Sequence, residues 1–177
     1  CSRLSCRYHG TMRLPVEHVQ RLRGLYEGRV VCVTGGAGFI GGHLVDALLS
    51  LGATIRVIDD LSNSTLTHLA GLIEMEPGRV RFVHGSILDD EALADAMQGC
   101  SLVFHLAALG SVARSVEDPQ RTWEVNATGT LRVLEAARAA GSPGDTAGIL
   151  GPGGVERVVF AASSSAYGED PALPRSE

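Results

Sequence analysis

Three glycines, Gly35, Gly38 and Gly41, stand between the apolar run Val30-Val31-Cys32-Val33-Thr34 and a segment of helical period that begins at Phe39. Glycine at this spacing lets the backbone turn tightly out of a buried strand and approach a bound group closely. The first amides of the next helix, which have no partner within it, then point at a diphosphate. A bare glycine triplet is also an ordinary strand-to-helix turn, so its meaning depends on the residues downstream.

The deciding residue is Asp59, eighteen positions beyond Gly41 at the tip of a second strand, with Asp60 next to it. A carboxylate there accepts both hydroxyls of an adenosine ribose and repels a 2′-phosphate, which favours NAD over NADP. Ser163, first of the three serines in Ala161-Ala162-Ser163-Ser164-Ser165-Ala166-Tyr167-Gly168, could hold a substrate hydroxyl, although a serine tract is also common in turns. The six histidines show no metal-ligand spacing and are read as core or surface residues, so no metal site is expected.

Positioning these groups requires alternating strands and helices, and from residue 29 the pattern supplies them. Strands are expected at 30–34, 54–58, 80–84, 102–106 and 155–162. Helices are expected at 39–51, between the polar loop 62–65 and Pro77-Gly78, at 91–98 with Asp89 or Asp90 as its cap, and at 117–140. In the last of these Pro119 falls in the first turn, and Trp123, Ala127, Leu131 and Leu134 form the expected apolar stripe. The glycine- and proline-rich stretch 141–154 reads as a surface loop. The fold class expected is α/β, a Rossmann-type doubly wound parallel sheet of order 3-2-1-4-5, truncated after the fifth strand. Residues 1–28 are expected to be a poorly ordered extension, 29–168 an NAD-binding domain, and 169–177 the start of a segment leading to a further helix and a substrate domain.

Composition narrows the partners. The formal net charge is −5, yet residues 1 to 29 hold six arginines against Glu17 and Glu27, leaving −9 on the remainder. That disfavours a nucleic-acid surface on the main body, and no apolar run is long enough for a membrane span. The four cysteines form no Cys-x-x-Cys pair, which points to a reducing, cytoplasmic setting. All fifteen basic residues are arginine; lysine is absent.

Several segments in order resemble the extended short-chain dehydrogenase/reductase family, in its NAD-dependent epimerase/dehydratase branch. Thr34-Gly35-Gly36-Ala37-Gly38-Phe39-Ile40-Gly41 resembles the family's dinucleotide turn, with Phe39 and Ile40 backbone groups meeting the phosphates. Asp59-Asp60-Leu61-Ser62-Asn63-Ser64 is similar to its ribose-binding segment, implicating Asp60, Asn63 and Ser64 beside Asp59. His105-Leu106-Ala107-Ala108 resembles the segment lying along the cofactor, and Asn126-Ala127-Thr128-Gly129-Thr130 the helix signature that sets Asn126 near the nicotinamide ribose. Gly85-Ser86-Ile87 stands where relatives carry Gly-Asp-Ile, so Ser86 departs from the usual adenine contact.

The resemblance implies a nucleotide-sugar 4-epimerase in which Ser163 hydrogen-bonds the reacting hydroxyl. The family's Tyr-x-x-x-Lys pair, in which lysine lowers the tyrosine pKa, is missing: no lysine exists, and Pro171 stands four residues after Tyr167. The pair is expected about two dozen residues past Ser163 in a longer protein, so the chain by itself is expected to be inactive. Dehydratases of the family carry Asp-Glu directly after the active-site Ser or Thr, where this chain has Ser164-Ser165. A dehydratase or decarboxylase, a non-catalytic dinucleotide-binding fragment and a decayed gene fragment stay open as other readings. The resemblance also implies a homodimer built from two helices per subunit, one like residues 117–140 and one carrying the absent tyrosine, a feature expected of the longer protein and in doubt for this chain.

Overall fold

The computed structural model describes residues 15–140 and 154–163. Residues 141–153 of the loop expected at 141–154, and the segment from Ser164 through Tyr167 to Glu177, lie outside the described residues.

Among the described residues five parallel strands form one sheet: β1 (Val30–Thr34), β2 (Thr54–Asp59), β3 (Val80–His84), β4 (Leu102–His105) and β5 (Arg157–Phe160). Their spatial order is β3-β2-β1-β4-β5, the order expected from sequence. Chain reversal at β1, which pairs with β2 on one side and β4 on the other, opens a crevice at the carboxyl ends of the strands. In register, Thr34 at the end of β1 lies between Ile58 and His105.

Side chains of β1 alternate between two cores, as strand geometry demands. Val31 and Val33 pack on one face with Ile55, Val57, Val45 and Leu69, beneath α2 (Phe39–Ser50) and α3 (Thr67–Met75). Cys32 faces the opposite core with Ile58, Val103, Leu93 and Met97, under α4 (Asp90–Met97). The Asp89 carboxylate caps α4 by accepting the N–H groups of Glu91 and Ala92. Cys32 and Cys100 are buried free thiols; burial pushes the Cys100 pKa up to about 11 and that of Cys32 higher still, so both behave as small apolar groups. Among the described residues no helix is long and apolar enough to cross a membrane.

Two expectations need correction. The single helix at 117–140 is instead a succession of α5 (Val112–Glu117), α6 (Pro119–Trp123), a π-helical turn (Glu124–Gly129) and α7 (Thr130–Ala139). Its buried stripe is Val125, Gly129, Val133 and Ala137, whereas Trp123 is 70%, Leu131 58% and Leu134 47% exposed. The smaller residues face inward because the helix lies close against Ile87: a Cβ on Gly129 would stand 2.6 Å from the Ile87 side chain. The chain's largest apolar side chains on this helix are therefore left outside.

Residues 16–26, where no element was expected, form α1 (Val16–Tyr26). With 11 residues it is too short for helix propensity alone to hold it, and none of its residues is fully buried. The Tyr26 ring packs on Phe104 at a centroid distance of 6.4 Å and joins the first core, and Gly28 N–H bonds the Gly52 carbonyl at 3.0 Å. Replacing Tyr26 with Ala is expected to lower the thermal midpoint by several degrees, about 1–2 kcal/mol of lost packing. Leu25→Ala, at an exposed position on the same turn, should change it little; equal melting of both variants with the unsubstituted chain would separate α1 from the folded unit.

Candidate functional site

The turn from β1 into α2 depends on backbone contacts that only glycine permits. Gly35 adopts φ +70°, and a Cβ there would stand 2.7 Å from the Ala107 amide nitrogen. At Gly41 a Cβ would meet the Gly35 carbonyl oxygen at 2.3 Å. The turn is thus pressed against both the end of β4 and the first turn of α2. No side chain caps α2 at Gly38, and the amides of Phe39, Ile40 and Gly41 have no acceptor within the helix by its own geometry. That end of α2 is a ready cradle for an anion.

Asp59, at the carboxyl end of β2, locks onto this turn. Its Oδ2 accepts the Ala37 N–H at 3.0 Å; its Oδ1 accepts the Leu61 N–H and the Ser64 hydroxyl, both at 2.9 Å. Three of the carboxylate's roughly four acceptor positions are therefore used internally. One remains toward a ligand, fewer than the two hydroxyls of a ribose would need without rearrangement. Asp60 Oδ1 accepts the Ser62 N–H at 3.0 Å, and between the two turns Leu61 is held at φ +58°, a strained conformation for a branched side chain.

Opposite this bank, Thr34 Oγ1 accepts the N–H groups of Leu106 and Ala107, both at 3.2 Å. Its own proton therefore goes to His105 Nδ1 at 2.7 Å. That leaves hydrogen on Nε2, which donates to Thr130 Oγ1 at 2.9 Å, and the Thr130 hydroxyl donates onward to the Asn126 carbonyl at 2.7 Å. The Asn126 side chain completes the relay by pairing with both backbone groups of Leu109, at 2.8 and 3.0 Å. His105 is buried, and desolvation pulls its pKa down to about 4. A proton on Nδ1 would also meet an oxygen already accepting two N–H groups.

These segments enclose a cavity of about 370 Å³. Of the residues singled out by sequence, Gly35, Gly38, Asp59, Asp60, Asn63, Ser64, Ser86, Ile87, Leu106, Ala107 and Ala108 line it. Others do not. Gly41 is buried beneath the turn, Phe39 and Ile40 expose their side chains on α2 and offer backbone only, and Asn126 acts behind the wall through Leu109. Ser163 is exposed three residues past β5 and outside the cavity lining. Ser86 lines the cavity while its hydroxyl accepts the Leu88 N–H at 3.2 Å.

Sequence reading missed Arg114, Glu117, Asp118 and Arg121, which form the far side of the cavity on α5 and α6. The available signal was Ser111: its hydroxyl caps α5 by accepting the Arg114 N–H, marking a separate short helix before Pro119.

Comparison with known proteins finds a matching family model over residues 31–177, that of the NAD dependent epimerase/dehydratase family. UDP-glucose 4-epimerase of Mycolicibacterium smegmatis is 40% identical over 149 residues, 82% of this chain and 42% of that protein. UDP-glucose 4-epimerase of Klebsiella pneumoniae is 31% identical over 146 residues, 81% of this chain and 96% of the relative's sequence. Among solved structures, an epimerase of Methanothermobacter thermautotrophicus superposes with a TM-score of 0.76 at 34% identity, covering 92% of this chain and 44% of that one. UDP-glucose 4-epimerase of Stenotrophomonas maltophila, with bound NAD and formylated UDP-arabinopyranose, gives 0.70 at 30% identity, covering 83% and 40%. The chain spans 40% of the length of the Yersinia enterocolitica and Erwinia amylovora 4-epimerases it also matches.

This geometry makes two outcomes measurable. Gly41→Ala forces backbone against backbone and should cost about 1–3 kcal/mol in urea unfolding; an unchanged midpoint would show that the turn is not packed as described. Because the His105 pKa is lowered on folding, the unfolded chain binds the proton first. Its contribution to stability is complete above pH 6.5 and is lost as pH falls toward about 4. In that window the unfolding free energy of His105→Gln should drop less steeply as pH is lowered than that of the unsubstituted chain, by up to ~1.4 kcal/mol per pH unit; identical slopes would refute the neutral buried imidazole.

Proposed function

The chain belongs to the NAD dependent epimerase/dehydratase family, and from that premise we propose that its cavity holds NAD within a nucleotide-sugar 4-epimerase. The observation that carries the reading is the pairing of an uncapped helix end at Gly38 with the Asp59 carboxylate on the facing strand tip, joined by the Ala37 hydrogen bond. In this reading the Phe39 and Ile40 amides receive the diphosphate, and Gly35, Gly38 and Gly41 allow its approach. Asp59, with Asp60, Asn63 and Ser64, receives the adenosine ribose, using the remaining acceptor position of Asp59 and the negative charge that repels a 2′-phosphate. Ser86 and Ile87 border the adenine; Leu106, Ala107 and Ala108 form the wall along the nicotinamide half, kept in line by Asn126.

NAD, when bound, supplies a reversible hydride acceptor for the sugar carbon being epimerised. The protein's own part is to orient and to exclude water. Ser163, past the end of β5, would hold the reacting sugar hydroxyl, while the base that takes its proton is the Tyr-Lys pair this chain does not contain. The chain alone therefore binds cofactor without turning substrate over. Ser164-Ser165 in place of Asp-Glu favours epimerisation over dehydration, and the relatives named UDP-glucose 4-epimerase support a nucleotide-sugar substrate. The exposed Trp123, Leu131 and Leu134 supply an apolar face suited to a homodimer.

Calorimetric titration of the chain with NAD and NADP tests this reading. NAD is expected to bind, with NADP weaker by about tenfold or more, and Asp59→Asn is expected to narrow that gap. Equal affinity for the two dinucleotides would overturn the role of Asp59. Interconversion of UDP-glucose and UDP-galactose by the chain alone would overturn its assignment as non-catalytic.

A further inference from the structure

Arg114 is one of four charged cavity-lining residues, with Glu117, Asp118 and Arg121, that neither the sequence motifs nor the proposed cofactor contacts use. It projects from α5 and its Nη1 donates to Asn63 Oδ1 on the loop after β2, a side-chain bond that spans the cleft. The charges around it are mostly acidic: Asp59, Asp60, Glu117 and Asp118 line the same cavity. The second cavity-lining guanidinium, Arg121, has a carboxylate neighbour of its own, Glu124 at 4.0 Å. Among the described residues Arg114 forms no ion pair, and its side-chain partner is the neutral Asn63 amide.

A dinucleotide brings two negative charges to this cavity, and the glycine turn offers them backbone amides and a helix dipole but no cation. A guanidinium with one donor engaged and four remaining is suited to diphosphate oxygens, to which it can present two parallel N–H groups. We propose that Arg114 is the residue that neutralises the diphosphate of the bound cofactor, with Asn63 holding the guanidinium over the cleft. This rests on the reading of the cavity as an NAD site. It adds a specific consequence: a cleft lined by four carboxylates tolerates the cofactor's charge because α5 carries this arginine across to the opposite bank.

Titrations of the full chain with NAD, ADP-ribose and UDP-glucose, repeated over a range of salt concentrations, distinguish the alternatives. For Arg114→Gln we expect NAD and ADP-ribose to bind about tenfold more weakly, with a salt dependence shallower by about one charge; Arg114→Lys should recover the salt dependence and only part of the affinity. The thermal midpoint should not move, since the side chain is exposed. Affinity for NAD unchanged in Arg114→Gln, or weakened with the salt dependence intact, would overturn the assignment while leaving the NAD site standing. Loss confined to UDP-glucose would assign Arg114 to the substrate's diphosphate instead and equally overturn it. Failure of the unsubstituted chain to bind NAD would overturn both readings.

Discussion

A buried imidazole with a defined tautomer holds the cleft in shape. His105 accepts a hydrogen bond from the Thr34 hydroxyl at Nδ1 and donates one from Nε2–H to Thr130. Direction is imposed at the Thr34 end, where the hydroxyl oxygen already accepts two backbone N–H groups. The relay joins the end of β1, the end of β4 and the start of α7, and through Asn126 it reaches Leu109. A buried network of this kind rigidifies when all its members are satisfied and is costly when one is not, so the neutral state of His105 and the position of the cavity wall are the same constraint.

The opposite bank has a comparable lock in Asp59, whose carboxylate binds the glycine turn, its own loop and Ser64 at once. A carboxylate with most acceptor positions already used is rigid, and its charge can act on a ligand without the side chain having to be ordered on binding. Between the two locks, Gly35 lies against Ala107 with no room for a side chain. The turn is therefore set by contacts from β2 and β4 together, and the parallel register around β1 brings those contacts to one point.

Much of this is legible in the sequence because it is local. The glycine spacing, the carboxylate at the strand tip and the alternation of strands and helices predict the sheet order and the cavity residues from Gly35 to Ala108. The Asp89 cap is likewise one of two candidates that the sequence offers, since capping chemistry is decided within a few residues. The features that sequence reading misses are non-local. Trp123, Leu131 and Leu134 keep helical spacing and large apolar volume, yet Ile87 selects the smaller Val125–Gly129–Val133–Ala137 face. Tyr26 finds its packing partner in Phe104, remote in sequence, so α1 has no local signature. Arg114 is marked in sequence only as part of a short helix capped by Ser111, because its partner across the cleft, Asn63, lies fifty-one positions earlier.

A crystal structure of the chain grown with NAD tests most directly whether a dinucleotide lies between the glycine turn and the Asp59 tip. The diphosphate is expected against the Phe39 and Ile40 amides and the adenosine ribose at Asp59, with the Thr34–His105–Thr130 hydrogen bonds unchanged. A dinucleotide bound elsewhere, or one bound here with its ribose turned away from Asp59, would contradict this placement.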